Sequence, residues 1–457
     1  MLTVRNPNHT VEIPETPVAL ASNDRESRWK DTSPGTDEPM PTRHWNIVTP
    51  SVSRRRFLQT APLLAVAPVL PAPSSRPETG HLLRQSARTA PRLRVSGMEL
   101  VVVRATARTT WLFVRLSTNQ GLTGLGEASL GRRAALPELE PFFQMVRDES
   151  PFRIEQYRQR GWAAASSGDR VRATAFSAIE QALWDLVGKA LGAPVSDLFG
   201  GRIRDALTVY ANINRATSNR QPDGFAANAR AAVNDGFAAL KAAPFDGFPA
   251  LTQPAAEVVA ATELGIACVA SMREAVGPDV AVKIDAHSYF DVPLAVDVAR
   301  RLEPYDLSWY EEPLPPQQVR DTQTIHDAIV QPMAGGEFLF GMQGFAPLCQ
   351  QRAVDIVMPD VKHCGGLAEA RRIAAIADLH GVAVSPHNPS GPVATAASVQ
   401  LCAAMQNFDI LEFQWGEVGW RGDLVEPPER FENGNIVVPD APGFGIELND
   451  AVAAEHA

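Results

Sequence analysis

The chain has 457 residues, 45% of them hydrophobic and 21% charged, the balance of a globular protein with a large core and not of a disordered one. Acidic residues outnumber basic ones by 52 to 42, for a formal charge of −10, and no basic stripe runs through the body, so nucleic acid is not an expected partner. Four cysteines without a CxxC pairing argue against a disulfide framework or a thiolate zinc site, and no uninterrupted apolar run reaches the ~18–20 residues of a membrane helix, so stable membrane insertion is not expected.

Residues 1–50 are polar, rich in Pro, Asn, Thr and Asp, and lack a sustained apolar period; they read as disordered. Ser53-Arg54-Arg55-Arg56-Phe57-Leu58-Gln59 then precedes a short apolar segment at 61–70. A basic patch followed by a short apolar region is the layout of a secretory signal, and the adjacent arginines resemble the twin-arginine export signal. The reading is a leader over 1–80 with the signal at 53–72, Met40 as a candidate start and cleavage near Ala72. It predicts a periplasmic protein, with the cytoplasm as the alternative. Without residues 1–80 the balance is 33 basic to 44 acidic, or −11, so an anionic substrate needs a local metal or lysine to offset the general field.

Residues 95–205 read as an α+β domain. Segments 99–103 and 111–116 are β-rich, with a turn at Asn119-Gln120-Gly121, and 134–147 and 171–191 read as helices. In the second helix Ala175, Ile179, Ala182, Leu183 and Leu186 share one face, and Gly192 and Pro194 stop it. After the boundary at Gly200-Gly201, short apolar strands alternate with Ala-rich helices. The strands are predicted at 207–211, 238–241, 280–285, 307–311, 332–335, 355–358, 382–385 and 410–413, with helices such as 293–302, 367–379 and 394–404 between them. Eight such units predict a parallel α/β barrel. A doubly wound open sheet is the alternative, but neither GxGxxG nor GxxxxGK[ST] occurs to support it.

The carboxyl ends of these strands, where a barrel builds its site, carry Lys241, Asp285, Glu311, Glu337, Asp360, His387 and Glu412. Steps of 26 residues separate Asp285 from Glu311 and Glu311 from Glu337, with 27 from Asp360 to His387 and 25 from His387 to Glu412. Each step fits one strand-plus-helix unit. Three carboxylates converging on one mouth repel one another unless a cation sits between them, and hard oxygen ligands with room for water favour Mg²⁺.

Short motifs recur in order along 95–445: Gly124-Leu125-Gly126-Glu127-Ala128, Ala178-Ile179-Glu180 through Trp184-Asp185, Leu198-Phe199-Gly200-Gly201, Trp309-Tyr310-Glu311-Glu312-Pro313, Gly336-Glu337, Pro359-Asp360 with Gly365-Gly366, and Pro386-His387-Asn388. In these the chain resembles the enolase superfamily, in its mandelate racemase/muconate lactonizing branch. The resemblance implies a modified TIM (β/α)8-type barrel over 206–420, an N-terminal α+β capping domain over 95–205 across its mouth, and a C-terminal segment, 421–457, returning to the cap. By motif, Asp285, Glu311 and Glu337 take the places of the metal ligands. Glu312, Glu180 and Asp185 are read as structural. The implied partner is a small-molecule carboxylate, a sugar acid or 2-hydroxy acid, and a homo-oligomer is expected.

The superfamily's common step is removal of a proton α to a carboxylate, with the metal stabilising the enediolate. Racemases of the mandelate type carry Lys-x-Lys after the second strand. Here Lys241 matches the first lysine and Ala243 replaces the second, so a proton acceptor is missing on that face. His387 and Asp360 match the family's histidine–aspartate dyad, in which the aspartate fixes the ring tautomer. His287, two places after Asp285, gives an Asp-x-His pattern that resembles the acid-sugar dehydratases of the galactonate type, where this histidine protonates the departing 3-hydroxyl. Lys241 and Glu412 are expected to bind the substrate carboxylate or donate to the enediolate, Lys283 to pair with a carboxylate inside the barrel, and Asn212, Asn214 and Arg215 to meet substrate hydroxyls. Specificity is expected from the cap around 128–133 and 161–170. The resulting expectation is a Mg²⁺-dependent sugar-acid dehydratase giving a 2-keto-3-deoxy acid. A racemase or epimerase of a 2-hydroxy acid is the alternative, and a catalytically silent binder needs no basic histidine.

Overall fold

The computed structural model describes residues 3–6, 9–10, 92–130, 136–167 and 170–457. The export signal read at 53–72 lies outside them, as does most of the leader. One part of the leader differs from its reading as disordered: β1 (Thr3–Asn6) pairs parallel with β3 and antiparallel with β2 (His9–Thr10). The free backbone edge of β3 offers the ladder that makes so short a strand possible.

The cap sheet continues with β3 (Val95–Arg104), β4 (Thr110–Thr118) and β5 (Thr123–Glu127), an antiparallel meander. The run Trp111–Val114 in β4 is apolar on both faces because it serves two cores. Leu112, Val114 and Leu116 face the cap helices, and Trp111 and Phe113 join the core shared with the barrel. Helices Leu136–Gln144, Ile154–Ala165 and Arg170–Leu191 belong to the cap. The helix over Ile154–Ala165 escaped the sequence reading, since its buried set is only Ile154, Tyr157, Arg158, Gly161 and Ala165. Gly161 allows its close approach, because a Cβ there would stand 2.8 Å from the Phe176 ring.

Eight parallel strands form the barrel: β6 (Ala206–Asn212), β7 (Ala239–Ala242), β8 (Ala281–Asp285), β9 (Leu307–Glu311), β10 (Met333–Gly335), β11 (Ile356–Val357), β12 (Ala383–Val384) and β13 (Leu411–Gln414). Each lies beside the next, and β13 pairs with β6 with Glu412 opposite Tyr210. Between β12 and β13 the ring closes through Val384, whose N–H donates to Asn407 O and whose carbonyl accepts from Asp409 N, both at 2.9 Å. A helix follows each of the first seven strands, among them Ala255–Val276, Leu367–Leu379 and Pro392–Ala403. The helix Ala255–Val276 qualifies the reading on membranes: by length and mean hydropathy it is long and apolar enough to cross one. It packs here against its neighbouring barrel helices, with Ile266, Cys268, Val269 and Met272 buried.

Inside the barrel Tyr210 and Trp309 meet edge to face at 5.3 Å. Among the described residues Lys283 pairs with no carboxylate, contrary to expectation. Its Nζ lies over the Trp309 ring, 4.5 Å from the centroid, and burial pushes it down to about 8.

Cap and barrel are joined by buried carboxylates at helix starts. Glu127 accepts from Gly391 N (2.8 Å) and Ala394 N (2.9 Å) at the start of Pro392–Ala403. Glu180 accepts from Leu367 N (2.8 Å) and Ala368 N (2.9 Å) at the start of Leu367–Leu379. Both satisfy orphan donors and lie at the positive ends of helix dipoles. Asp185 accepts from Leu125 N and Phe444 N, tying the cap to the C-terminal segment. That segment ends beside β3, where Arg104 N donates to His456 O at 2.7 Å.

Candidate active site

Asp285 and Glu311 are the last residues of β8 and β9, and Glu337 follows β10 across Gly336, whose φ of 106° suits only glycine. One carboxylate oxygen from each lies within 4.8 Å of the others, and all three are buried. Burial alone would raise Asp285, but His287 beside it overrides this and the carboxyl falls to about 2. Burial lifts Glu311 to about 8 even with Lys241 beside it, and lifts Glu337 well above the ordinary range with Glu312, Asp285 and Glu311 adding to the effect. Oε2 of Glu337 is buried and has no hydrogen-bond partner among the described residues, a costly arrangement for an isolated carboxylate. A divalent hard cation fits this all-oxygen set, supplying both the missing partner and the missing positive charge. Glu312, at φ 36°, accepts from Gly336 N (2.7 Å) and Glu337 N (3.2 Å) and so fixes the turn that presents Glu337.

Of the histidines that line this pocket, His387 and His287 are each held by aspartates. His387 Nδ1 is 2.8 Å from Asp360 Oδ2, and its Nε2 is 3.1 Å from Glu337 Oε2 without hydrogen-bond geometry. Burial would raise Asp360, but Lys362, His363 and His387 hold it well below the usual carboxylate range. An ionised acceptor makes Nδ1 the protonated nitrogen. Burial lowers His387 despite Glu412 and Asp360, so it is neutral at pH 7 with its Nε2 lone pair free.

His287 is the opposite case. Its Nε2 is 2.8 Å from Asp285 Oδ2 and its Nδ1 2.5 Å from Asp246 Oδ1. Burial would lower it, but Asp285 and Asp246 raise it to about 12, so the ring holds both protons. Asp246, in the loop after β7, was not read from the sequence. Asn214 Nδ2 (2.8 Å) and Arg220 (3.5 Å) hold its other oxygen.

Lys241 lines the pocket, with Nζ 2.7 Å from Glu311 Oε1 and 3.2 Å from Glu412 Oε1. Glu412 departs from its expected role. It is wholly buried, absent from the pocket wall, and accepts from Asn212 Nδ2 (2.6 Å) and Asn388 N (2.8 Å). It holds Lys241 and Asn212 in place from behind the pocket wall. The pocket has a volume of about 260 Å³ and includes Asn212, Asn214 and Arg215 as expected. It also includes Lys362 and His363, which the sequence reading passed over although they stand two and three residues after Asp360. His363 Nδ1 is 2.8 Å from Thr174 Oγ1 of the cap, and burial pushes it down to about 3. Of the cap segments expected to set specificity, Ser129, Leu130 and Arg170 reach the pocket, while 131–133 and 168–169 lie outside the described residues.

Comparison with known proteins places the chain by sequence and by fold. Residues 90–200 match the family described as "Mandelate racemase / muconate lactonizing enzyme, N-terminal domain", and 224–452 match "Enolase C-terminal domain-like". A D-xylonate dehydratase of Haloferax volcanii is 32% identical, covering 80% of this chain and 91% of its own. A D-galactonate dehydratase of Ralstonia pickettii is 31% identical, covering 76% and 91%. The solved mandelate racemase/muconate lactonizing enzyme of Jannaschia sp. superposes with a TM-score of 0.71 at 32% identity, over 79% of this chain and 97% of that one. With its cap, its barrel and its triad of strand-end carboxylates, the chain belongs to the mandelate racemase/muconate lactonizing enzyme family of the enolase superfamily.

Proposed function

We propose that the protein is a Mg²⁺-dependent sugar-acid dehydratase, converting a 2,3-dihydroxy acid to its 2-keto-3-deoxy product. The observation that carries this reading is the pair of histidines on one pocket in opposite settings, His387 with Nδ1 2.8 Å from Asp360 and His287 bridging Asp285 (2.8 Å) and Asp246 (2.5 Å), an arrangement that favours a neutral ring at His387 and a protonated one at His287. Groups whose environments drive their pKa values apart take acid and base roles. A bound Mg²⁺ at Asp285, Glu311 and Glu337 supplies positive charge to the substrate carboxylate as negative charge develops there. Lys241, held beside Glu311, adds a fixed positive charge at the same end.

His387 Nε2 takes the C2 proton. His287 delivers a proton to the 3-hydroxyl as the C3–O bond breaks, so that water leaves and an enol remains, which takes a proton at C3 to give the keto acid. The D-xylonate and D-galactonate dehydratases among the relatives support this substrate class. The racemase alternative needs a second base facing His387. Ala243 stands at the family position for one, and His287 is already protonated. The Arg54-Arg55 segment extends the proposal to export of the folded enzyme to the periplasm. Incubation of purified protein with Mg²⁺ and a panel of acid sugars in deuterated water tests the assignment. A dehydratase accumulates keto acid, whereas deuterium entering C2 of an unchanged skeleton would replace this reading with epimerisation.

A further inference from the structure

Dehydration at one carboxylate end accounts for most of the pocket's positive charge, but not for all of it. Lys241 is held by Glu311 and Glu412, His287 by Asp285 and Asp246, and Arg215 by Glu417 at 3.2 Å. Arg170 stands apart. It opens the cap helix Arg170–Leu191, lines the pocket, and makes no ion pair or side-chain hydrogen bond among the described residues. Its guanidinium carbon lies 3.2 Å from the centre of the Phe338 ring, and that ring is 6.0 Å from the ring of His387. Lys362, 3% exposed, is the second cation on this side. Its Nζ is 3.5 Å from Asp360 Oδ2, the same oxygen that faces His387 Nδ1 at 2.8 Å. One carboxylate thus serves both Lys362 and the dyad histidine, and Arg170 has none.

The side of the pocket matters. Lys241 and His287 come from the ends of β7 and β8, whereas Lys362 and His387 follow β11 and β12, four strands away in a ring of eight. A substrate whose reacting carboxylate lies by the triad and Lys241 therefore has Arg170 and Lys362 available to its remaining length. Arg170 is exposed at the pocket wall, in the field of Glu337, Asp360 and Glu312 but paired with none of them, so its guanidinium is open to a ligand. Guanidinium and ammonium groups together are suited to a carboxylate.

We infer that Arg170 and Lys362 form a subsite for a second carboxylate at the far end of the substrate, so that the preferred substrates are aldarates, the dicarboxylic sugar acids, over the aldonates of the same configuration. This rests on the dehydratase reading and narrows its substrate class. The test compares kcat/KM for matched hexarates and hexonates with the Mg²⁺-loaded enzyme, then for Arg170→Gln, Arg170→Lys and Lys362→Ser. The wild type is expected to favour the diacid at least tenfold. Loss of one charge-assisted contact is worth roughly 10–100-fold, so Arg170→Gln and Lys362→Ser each lower the diacid-to-monoacid ratio by that order, and Arg170→Lys restores part of it. Using the ratio cancels any effect of Lys362→Ser on the dyad common to both substrates. Equal turnover of hexonate and hexarate by the wild type, or a ratio that neither Arg170→Gln nor Lys362→Ser changes, overturns the subsite while leaving the dehydratase reading in place. Absence of both keto acid and C2 exchange with every acid overturns the dehydratase reading itself.

Discussion

Lowering the pH from 8 to 6 should weaken Mg²⁺ binding steeply, because the cation must displace protons from its own ligands. Without metal Glu311 is lifted to about 8 and Glu337 well above the ordinary value of 4.5, while Asp285 at about 2 is already ionised. Each ligand proton displaced costs about tenfold in apparent affinity per pH unit below its pKa. Two such ligands set an upper bound of roughly a hundredfold per unit. The sign for stability follows from the same values. Between the ordinary 4.5 and about 8 the metal-free folded state holds more protons than the unfolded chain, so these groups make it less stable as pH rises through that window. Saturating Mg²⁺ removes the penalty, adding about 2.7 kcal/mol at a hundredfold excess over Kd. Titration calorimetry at pH 6, 7 and 8, in two buffers of different ionisation enthalpy, gives Kd and the protons released. Melting with and without Mg²⁺ gives the stability difference, expected to widen toward pH 8. An affinity constant from pH 6 to 8 with no proton release would refute the argument.

The two histidines should separate kinetically. His387→Asn removes the base, and both keto-acid formation and C2 exchange in deuterated water should fall by about 10²–10⁴-fold. His287→Asn should block water loss by a similar factor while leaving C2 exchange detectable, and a normal dehydration rate in that variant would remove the basis for its acid role. Gly366→Ala should destabilise the protein by about 1–3 kcal/mol, since φ is 86° there and a Cβ would stand 2.1 Å from Glu180 Oε2; an unchanged denaturant midpoint counts against that contact. Arg54→Lys with Arg55→Lys should retain the protein in the cytoplasm, measured by fractionation, and unaltered distribution would mark the segment as a linker.

Much of the site was legible because one strand-plus-helix unit occupies a nearly constant length, so that polar residues about 26 apart fall at equivalent points of the ring. One difference came from depth along a strand. Glu412 is the second residue of β13, whereas Asp285 and Glu311 are terminal. Two residues correspond to about 7 Å of strand, enough to move a side chain from the mouth into the barrel. Lys241 also stops short of the end of β7, yet its longer side chain lines the pocket. Asp246 was illegible for another reason. It meets His287 only because β7 and β8 pair in register, Lys241 opposite Lys283, and no spacing within one segment encodes that contact. The helix Ile154–Ala165 hid because a buried arginine and a glycine carry part of its packing.

The carboxylates of Glu127 and Glu180 constrain how this family can be recombined. Each sits in the cap and completes the opening turn of a barrel helix, so the barrel does not carry a full set of end groups by itself. A chimera joining this barrel to a cap taken from a relative should fold only when the incoming sheet and helix bring acids to both positions. Removing either one leaves backbone donors stranded at the junction. Exchange of caps, the obvious route to new substrates on a common barrel, is therefore limited less by the shape of the pocket than by the grammar of these two helix starts.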